Sequence, residues 1–325
     1  MLHIEADLLS TVASFSRAGD LSNLTFLAHS RRVAHIAYHL GKALMLERNQ
    51  LNELVLSAFL HDIGVMTNLE HLALADLEPK RSQVAPHCQA GYNLLQGTQV
   101  FGWLAQNVLE HHDYHSPDLR IIPAILHVAD RVDILLDKKA YSLNQVDSLL
   151  HYFSLKSGYI FNPDVVNALR GLGEVPSFWL DLEFGNYTFF DAEDNFGRVL
   201  TIDELEEMAQ LVTQLVDAKS PFTHRHSQAV TRVVAYLGTK LNMSKEDVRL
   251  IKIAGLLHDI GKLAVPDEIL LHPGGLTRAQ RLVMKQHTYH SYHLIRCIGS
   301  GTERLAGWAA FHHEKLNGTG YPFRL

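Results

Sequence analysis

Two His-Asp pairs, His61-Asp62 and His258-Asp259, stand 197 positions apart, each closing an apolar run, residues 54–60 in one case and 250–257 in the other. Runs of that character read as buried helices. A buried imidazole beside a buried carboxylate is costly unless something compensates both. A divalent cation does so. The pair can bind one ion each or share two, which is what hydrolytic two-metal sites require. Gly261 and Lys262 follow the second pair; the glycine suits a chain reversal, and the lysine sets a cation beside an approaching anion.

The other histidines keep the same step. His29 to His61 and His226 to His258 both span 32 positions. His61 to His87 spans 26 against 29 for His258 to His287, and His87 to His111 spans 24 against 25 for His287 to His312. Ten of the 21 histidines therefore fall at equivalent places in two copies. Each copy supplies one His, a His-Asp pair, another His and a His-His pair, six potential ligands from four helices, as metal centres inside helical bundles are built. A hydrogen-bonded polar core is the competing explanation, and it gives no reason for matched intervals.

The elements that must carry these residues are helical. Apolar spacing marks helices over 24–46 around His29, 51–63 ending in His61-Asp62, about 87–95 opening on His87, 100–112 ending in His111-His112, and 123–136 with Asp130 and Asp133 on its inner half. Two short helices broken at Gly158 and Pro163 occupy 142–172, and 173–200 reads as a linker with a short hairpin around Gly185-Asn186. Thr201 to Glu204 is a capping box opening a helix to about Asp217, and Ser244 starts the helix ending at His258. Thr277 to Gln280 caps the helix carrying His287, and 303–313 ends in His312-His313. No stretch alternates with period two between hairpin turns. The expected class is all-α, two tandem helical bundle domains over 1–172 and 201–325 joined by 173–200.

Composition narrows the partners. At 325 residues with 47% hydrophobic and 20% charged content, the chain is ordinary for a globular protein with ample core. A net charge of −6 argues against a nucleic-acid polymer but is compatible with a small anion held at one local site. The start lacks a basic n-region and no apolar run reaches membrane-spanning length, so a cytoplasmic protein with no membrane association is expected. Cys88 and Cys297 lie outside any CxxC spacing and read most simply as buried thiols in a reducing compartment.

The order H…HD…H…HH…D is similar to the HD superfamily of metal-dependent phosphohydrolases. In the second copy the run from His312 to Pro322, His-His-Glu-Lys-Leu-Asn-Gly-Thr-Gly-Tyr-Pro, resembles the HD-GYP family, as do Val265-Pro266-Asp267 and Pro273-Gly274-Gly275-Leu276-Thr277 before it. The resemblance covers about 21–172 as one HD-type copy and 202–325 as the HD-GYP copy. It implies a bacterial, metal-dependent phosphodiesterase that opens a cyclic dinucleotide, cyclic di-GMP or cyclic GMP-AMP, to the linear dinucleotide by a two-metal-activated hydroxide. The implied ligands are His226, His258, Asp259, His287, His312 and His313, with Asp259 bridging two ions and Lys262 at the scissile phosphate. Gly318, Gly320 and Tyr321 would line the substrate, and the GYP loop would also offer a surface to a signalling-protein partner. The two divalent ions would be iron or manganese, with nickel or magnesium as alternatives, since ligand type alone does not separate them.

Three departures qualify the resemblance. The family's last aspartate ligand comes from a helix beyond Leu325, so the second copy is expected to be incomplete at its C-terminal end. Relatives that hold a third ion place a Glu four residues before the first His; Phe222 stands there, so two ions are expected. The first copy has a full set in His29, His61, Asp62, His87, His111, His112 and Asp130, yet Val65 replaces the lysine and the GYP loop is missing. It is expected to hold metal as a regulatory or docking copy. A metal-stabilised module that binds a cyclic dinucleotide or partner protein without cleaving it is the alternative reading, with a general nucleotide phosphohydrolase third. His224, His290 and His293 are expected to orient the second set, and His35, His39, His127 and His151 to be core or surface residues. The oligomeric state is left open.

Overall fold

The computed structural model describes residues 4–21, 27–65, 81–187, 198–219 and 226–325. The fold is all-α as expected; among the described residues the only strands are the two-residue pair Glu5–Ala6 and Gly299–Ser300, which run antiparallel. The chain forms two compact units. Among the described residues, the first is built from 28–65 and 81–187, and the second from 4–21, Leu27, 198–219 and 226–325.

In the first unit, helix His29–Ala43 packs on Arg48–Leu60 and on Ile121–Leu135, whose residues are buried almost throughout. Local chemistry sets the ends. Glu47 and Gln50 close a capping box at the start of Arg48–Leu60, and Asn162 accepts from the amides of Asp164 and Val165 with Pro163 at the first helical position. The expected linker over 173–200 differs in its first part. Helix Pro176–Phe184 buries Phe178 and Trp179, whose indole N–H donates to the Leu172 carbonyl at 3.1 Å, so this segment is core. Aromatic side chains of that size are drawn inside by the area they remove from water. Gly185 is the left-handed C-cap of this helix and not a hairpin turn; the rest of the expected hairpin, 188–190, lies outside the described residues.

The second unit is centred on helix Lys245–Leu257, packed between His226–Lys240, Ile202–Lys219 and Glu303–Ala310. Ser244 caps it through the amide of Asp247, and Thr277 with Gln280 forms the expected capping box, although that box opens Arg278–Met284 and His287 sits on the next helix, Gln286–Arg296. Residues 4–21, expected with the first copy, belong here. Asp7 caps helix Leu8–Asp20 through Ser10, and the buried Ser14 hydroxyl donates to the Leu294 carbonyl at 2.6 Å. The helix covers part of the HDIGK turn and the helix Gln286–Arg296 with its apolar side chains Leu8, Leu9 and Val12. Cys297 is exposed at the end of Gln286–Arg296, contrary to the expectation of burial, because it is the C-cap and points away from the apolar face; Cys88 is buried as expected.

Gly64 and Gly261, one after each His-Asp pair, have the same reason to be glycine, and it is not a left-handed turn, since neither has positive φ. A Cβ on Gly261 would fall on the His287 carbonyl oxygen, far inside the 3.0 Å that real Cβ atoms keep, and one on Gly64 would fall on the His87 carbonyl in the same way. The HD turn and the helix bearing the next histidine touch backbone to backbone, and this contact sets the ligands of both elements at one spacing.

Candidate metal centres

In the first unit five elements aim side chains at one point. His29 opens helix His29–Ala43, His61 and Asp62 follow Arg48–Leu60, His87 lies in Arg81–Leu95, His111 and His112 follow Ala105–Glu110, and Asp130 lies in Ile121–Leu135. The Asp62 carboxylate faces two ways. Its Oδ2 lies 3.5 Å from His29 Nε2 and 3.4 Å from His61 Nε2, and Asp130 Oδ1 is 3.5 Å from His29 Nε2. Its Oδ1 lies 3.4 Å from His87 Nε2 and 3.9 Å from His111 Nε2. The two nitrogen pairs are tight, His29 to His61 at 3.3 Å and His87 to His111 at 3.2 Å. Donor atoms about 3.3 Å apart are what two nitrogens sharing one tetrahedral ion at about 2.0 Å each would show. All seven residues predicted for this copy are thus brought together.

The second unit repeats the plan. Asp259 Oδ2 lies 3.0 Å from His258 Nε2, and Oδ1 lies 3.5 Å from His287 Nε2 and 3.9 Å from His312 Nε2. His287 and His312 are 3.4 Å apart, and His226 groups with His258 and Asp259. His313 completes a donor group with His287 and His312, and its ring stacks on Tyr321 at 4.7 Å. Lys262 Nζ contacts Asp259 Oδ2 at 2.6 Å.

The tautomers suit an ion. The Nδ1 atoms of His61, His111, His258, His287 and His312 each lie 2.6–2.8 Å from the backbone carbonyl three residues earlier. A carbonyl only accepts, so Nδ1 carries the proton and each Nε2 presents its lone pair to the centre. Such outer partners are what metal-bound imidazoles need. They are backbone atoms set by helix geometry, and the expected orienting role of His290 and His293 falls away: His293 packs on Tyr289 at 4.2 Å and His290 faces Arg17 and His293, while His224 lies outside the described residues, as does Phe222. Burial pushes His111 down to about 3 and His287 and His312 down to about 4, which keeps the rings neutral and ready to donate. Burial opposes ionisation of Asp259, but hydrogen bonding and charge from His258, together with Lys262, hold its carboxyl well below the usual range. In the first unit two buried atoms at the centre, Asp62 Oδ1 and His112 Nε2, lack any hydrogen-bond partner, which an ion would satisfy.

His29 is oriented differently, by Asp133 Oδ2 at 2.7 Å from its Nδ1, and Asp133 is held in turn by Arg32. Burial disfavours the charge on His29, yet Asp133 and Asp62 outweigh it and raise the imidazole to about 10 without an ion. The sequence placed Asp133 on the inner helix face but gave it no role. Asp133→Asn is expected to weaken metal retention by the first unit about 10–100-fold, read by competition against a chromogenic chelator; unchanged retention would remove Asp133 from the centre.

Two contrasts separate the centres. His29, His61, His87, His111, His112 and Asp130 are all buried, whereas His226 and His313 are exposed and the His312 side chain is 25% exposed. The second centre is also fringed by the expected loop. Glu314, which the sequence reading quoted but did not explain, accepts the amides of Phe323 and Arg324 through Oε1 and of Leu325 through Oε2. Gly318 has φ +69°, and a Cβ on Gly320 would lie 2.5 Å from Glu314 Cα, so both glycines serve the loop's own fold. Tyr321 is fixed between the His313 ring and Lys285, whose Nζ lies 5.0 Å from the ring centroid.

Comparison with known proteins agrees with this picture. Residues 26–135 and 210–325 each match the HD domain family. The chain is 28% identical to the 3'3'-cGAMP-specific phosphodiesterase 1 of Vibrio cholerae over 94% of its own length and 75% of that protein's. It is 36% identical to a cyclic di-GMP phosphodiesterase of Thermotoga maritima over 37% of its length and 33% of that protein's. The crystal structure of the cyclic GMP-AMP specific phosphodiesterase V-cGAP3 of V. cholerae superposes with a TM-score of 0.67 at 21% identity, covering 93% of this chain and 83% of that one, a likeness of fold. With two HD domains, the ligand order in both and the GYP loop after His312-His313, the chain belongs to the HD-GYP family of HD metal-dependent phosphohydrolases.

Proposed function

We propose that this chain hydrolyses a cyclic dinucleotide, cyclic GMP-AMP or cyclic di-GMP, to the linear dinucleotide at the second centre, and that the first domain holds metal without turnover. The observation that carries this reading is Asp259: its two oxygens face two different histidine groups, with Lys262 beside them and an exposed approach over His312, His313 and Tyr321. His226, His258, His287, His312 and His313 with Asp259 would hold two divalent ions, iron or manganese. Bound there, the ions would lower the pKa of a water nucleophile and neutralise phosphate charge.

The protein's own residues do the rest. Lys262 holds a positive charge at the Asp259 carboxylate, where a phosphate oxygen of the substrate would gather developing negative charge. The Tyr321 phenol ring, held by His313 and Lys285, sets its edge and hydroxyl at the margin of the centre, where a ribose or base could bond. The carbonyls behind His258, His287 and His312 prevent the rings from turning during the reaction. In the first domain Val65 supplies no charge and the histidine ligands are buried among the described residues, which supports a structural or regulatory centre. No helix among the described residues is long and apolar enough to cross a membrane; a cytoplasmic location is part of the proposal, since cyclic dinucleotides are intracellular messengers. The exposed tip of the loop at Leu316 is the surface proposed for a signalling partner.

The test is turnover. Protein loaded anaerobically with iron or manganese is incubated with cyclic GMP-AMP and cyclic di-GMP, and products are separated by chromatography. Linear dinucleotide that disappears on chelation and returns with metal is the expected result. Metal-loaded protein that binds either nucleotide but leaves it cyclic would establish the binding-module alternative instead.

A further inference from the structure

Cys88 adjoins His87 in the first unit, and its Sγ lies 3.6 Å from His87 Nε2; its 3.8 Å contact with His111 is to Nδ1, which donates to the Val108 carbonyl, so His111 would offer Nε2 to an ion. His87, Cys88 and His111 are all buried and form one compact donor group. Asp62 Oδ1 is 3.4 Å from His87 Nε2 and has no hydrogen-bond partner; neither has His112 Nε2, whose ring centroid is 4.2 Å from that of His111. With metal–sulfur and metal–nitrogen bonds of about 2.3 and 2.0 Å, tetrahedral geometry sets sulfur and nitrogen about 3.5 Å apart and two nitrogens about 3.3 Å apart. The observed separations of Cys88 and His111 from His87 Nε2, 3.6 and 3.2 Å, match both.

The second unit provides an internal control. Thr288 follows His287 as Cys88 follows His87; both donate to a carbonyl of the preceding turn, Thr288 to Lys285 at 3.1 Å and Cys88 to Val84 at 3.3 Å, and they differ in that only sulfur can serve as a soft ligand. The two centres thus share their plan and differ in one soft donor. We propose that the His87–Cys88–His111 position of the first domain, with Asp62 Oδ1 as fourth donor, is a thiolate-bearing site that takes zinc in preference to the iron or manganese of the second centre. Zinc accepts thiolate, imidazole and carboxylate together in a closed tetrahedral site, whereas the second centre offers only imidazole and carboxylate. On binding, the sulfur–metal bond forms as the Cys88 S–H proton leaves to solvent. The inference rests on the reading of the first domain as a metal-holding domain and is independent of turnover at the second.

The test uses the full chain with Cys297→Ser, so that Cys88 is its one thiol. Metal-free protein is titrated with cobalt(II) and followed by absorption. A thiolate-to-cobalt charge-transfer band in the near ultraviolet is expected; Cys88→Ser removes it while the visible ligand-field bands persist, and zinc bleaches it. Cys88→Thr, which installs the second copy's residue, is expected to lose zinc to a chelator at least about ten-fold more readily, a loss in keeping with removal of one inner ligand. Ligand-field bands from the first domain without the charge-transfer band would overturn the thiolate assignment. Bands that Asp62→Ala leaves wholly unchanged would show that the first domain holds no cobalt, overturning the metal-holding reading and the inference with it. Either readout is made without substrate.

Discussion

Asp259→Ala is expected to abolish cyclic dinucleotide hydrolysis, a loss of about a thousand-fold or more, while Asp62→Ala leaves turnover within a few-fold of the parent. Asp259 is the one carboxylate among the described residues that reaches both histidine groups of the second centre, with Oδ2 at His258 and Oδ1 at His287 and His312. Its removal separates those groups and leaves Lys262 as an uncompensated charge at the site of phosphate chemistry. Asp62 has the same geometric place in the first unit, but Val65 stands where the second copy has Lys262, and Arg131, a cation beside that centre, is bonded to Asp130. The assay is product formation at saturating substrate, with metal content of each variant measured alongside. Loss of turnover in Asp62→Ala with an intact Asp259 centre would exchange the roles of the two domains.

Gly261→Ala is expected to cost about 3 kcal/mol or more of stability in the second unit, an overpacking penalty at the top of the usual range. The added methyl would land on the His287 carbonyl oxygen and 2.8 Å from the Ser291 amide, where backbone cannot yield as a side chain can. The same turn is pinned by Ser291, whose hydroxyl accepts from the Gly261 amide at 3.0 Å and donates to the His258 carbonyl at 2.9 Å. Forcing this contact apart would also separate His258 from His287, so metal occupancy should fall together with the unfolding midpoint. Denaturant unfolding and metal analysis of one sample check both. A variant with parental stability would mean that the HD turn and the helix behind it are not in backbone contact.

Much of the centre was legible because ligands must be particular residue types and the chain carries them twice at matched intervals. His29, His61, Asp62, His87, His111 and His112 lie together with Asp130, and His226, His258, Asp259, His287, His312 and His313 lie together in the second copy. What the sequence concealed is what depends on neighbours distant along the chain. Gly261 looked like a turn residue because its constraint is a carbonyl 26 positions later. Cys88 looked inert because a thiol's role depends on which nitrogens fold against it. Pro176 to Phe184 looked like linker because a Pro-initiated helix flanked by Gly and Asn presents loop composition on both sides of its buried Trp179. The orienting partners of the ligands were invisible for another reason: they are backbone carbonyls, which every residue has.

The helix Leu8–Asp20 has a consequence for how the protein is made. Its Ser14 finds its carbonyl partner at Leu294, 280 positions away, and Glu5–Ala6 pairs with Gly299–Ser300. This helix is synthesised long before its partner and waits for some 280 further residues before it can dock. Meanwhile residues 28–196 have everything needed to collapse as a unit. Synthesis order thus favours a finished first domain before the second one closes, since capture of the tethered helix needs a contact of very high sequence separation. A polypeptide begun at residue 201 would lack that helix and leave Leu294 and the HDIGK turn uncovered, so the second unit depends on residues that precede the other domain.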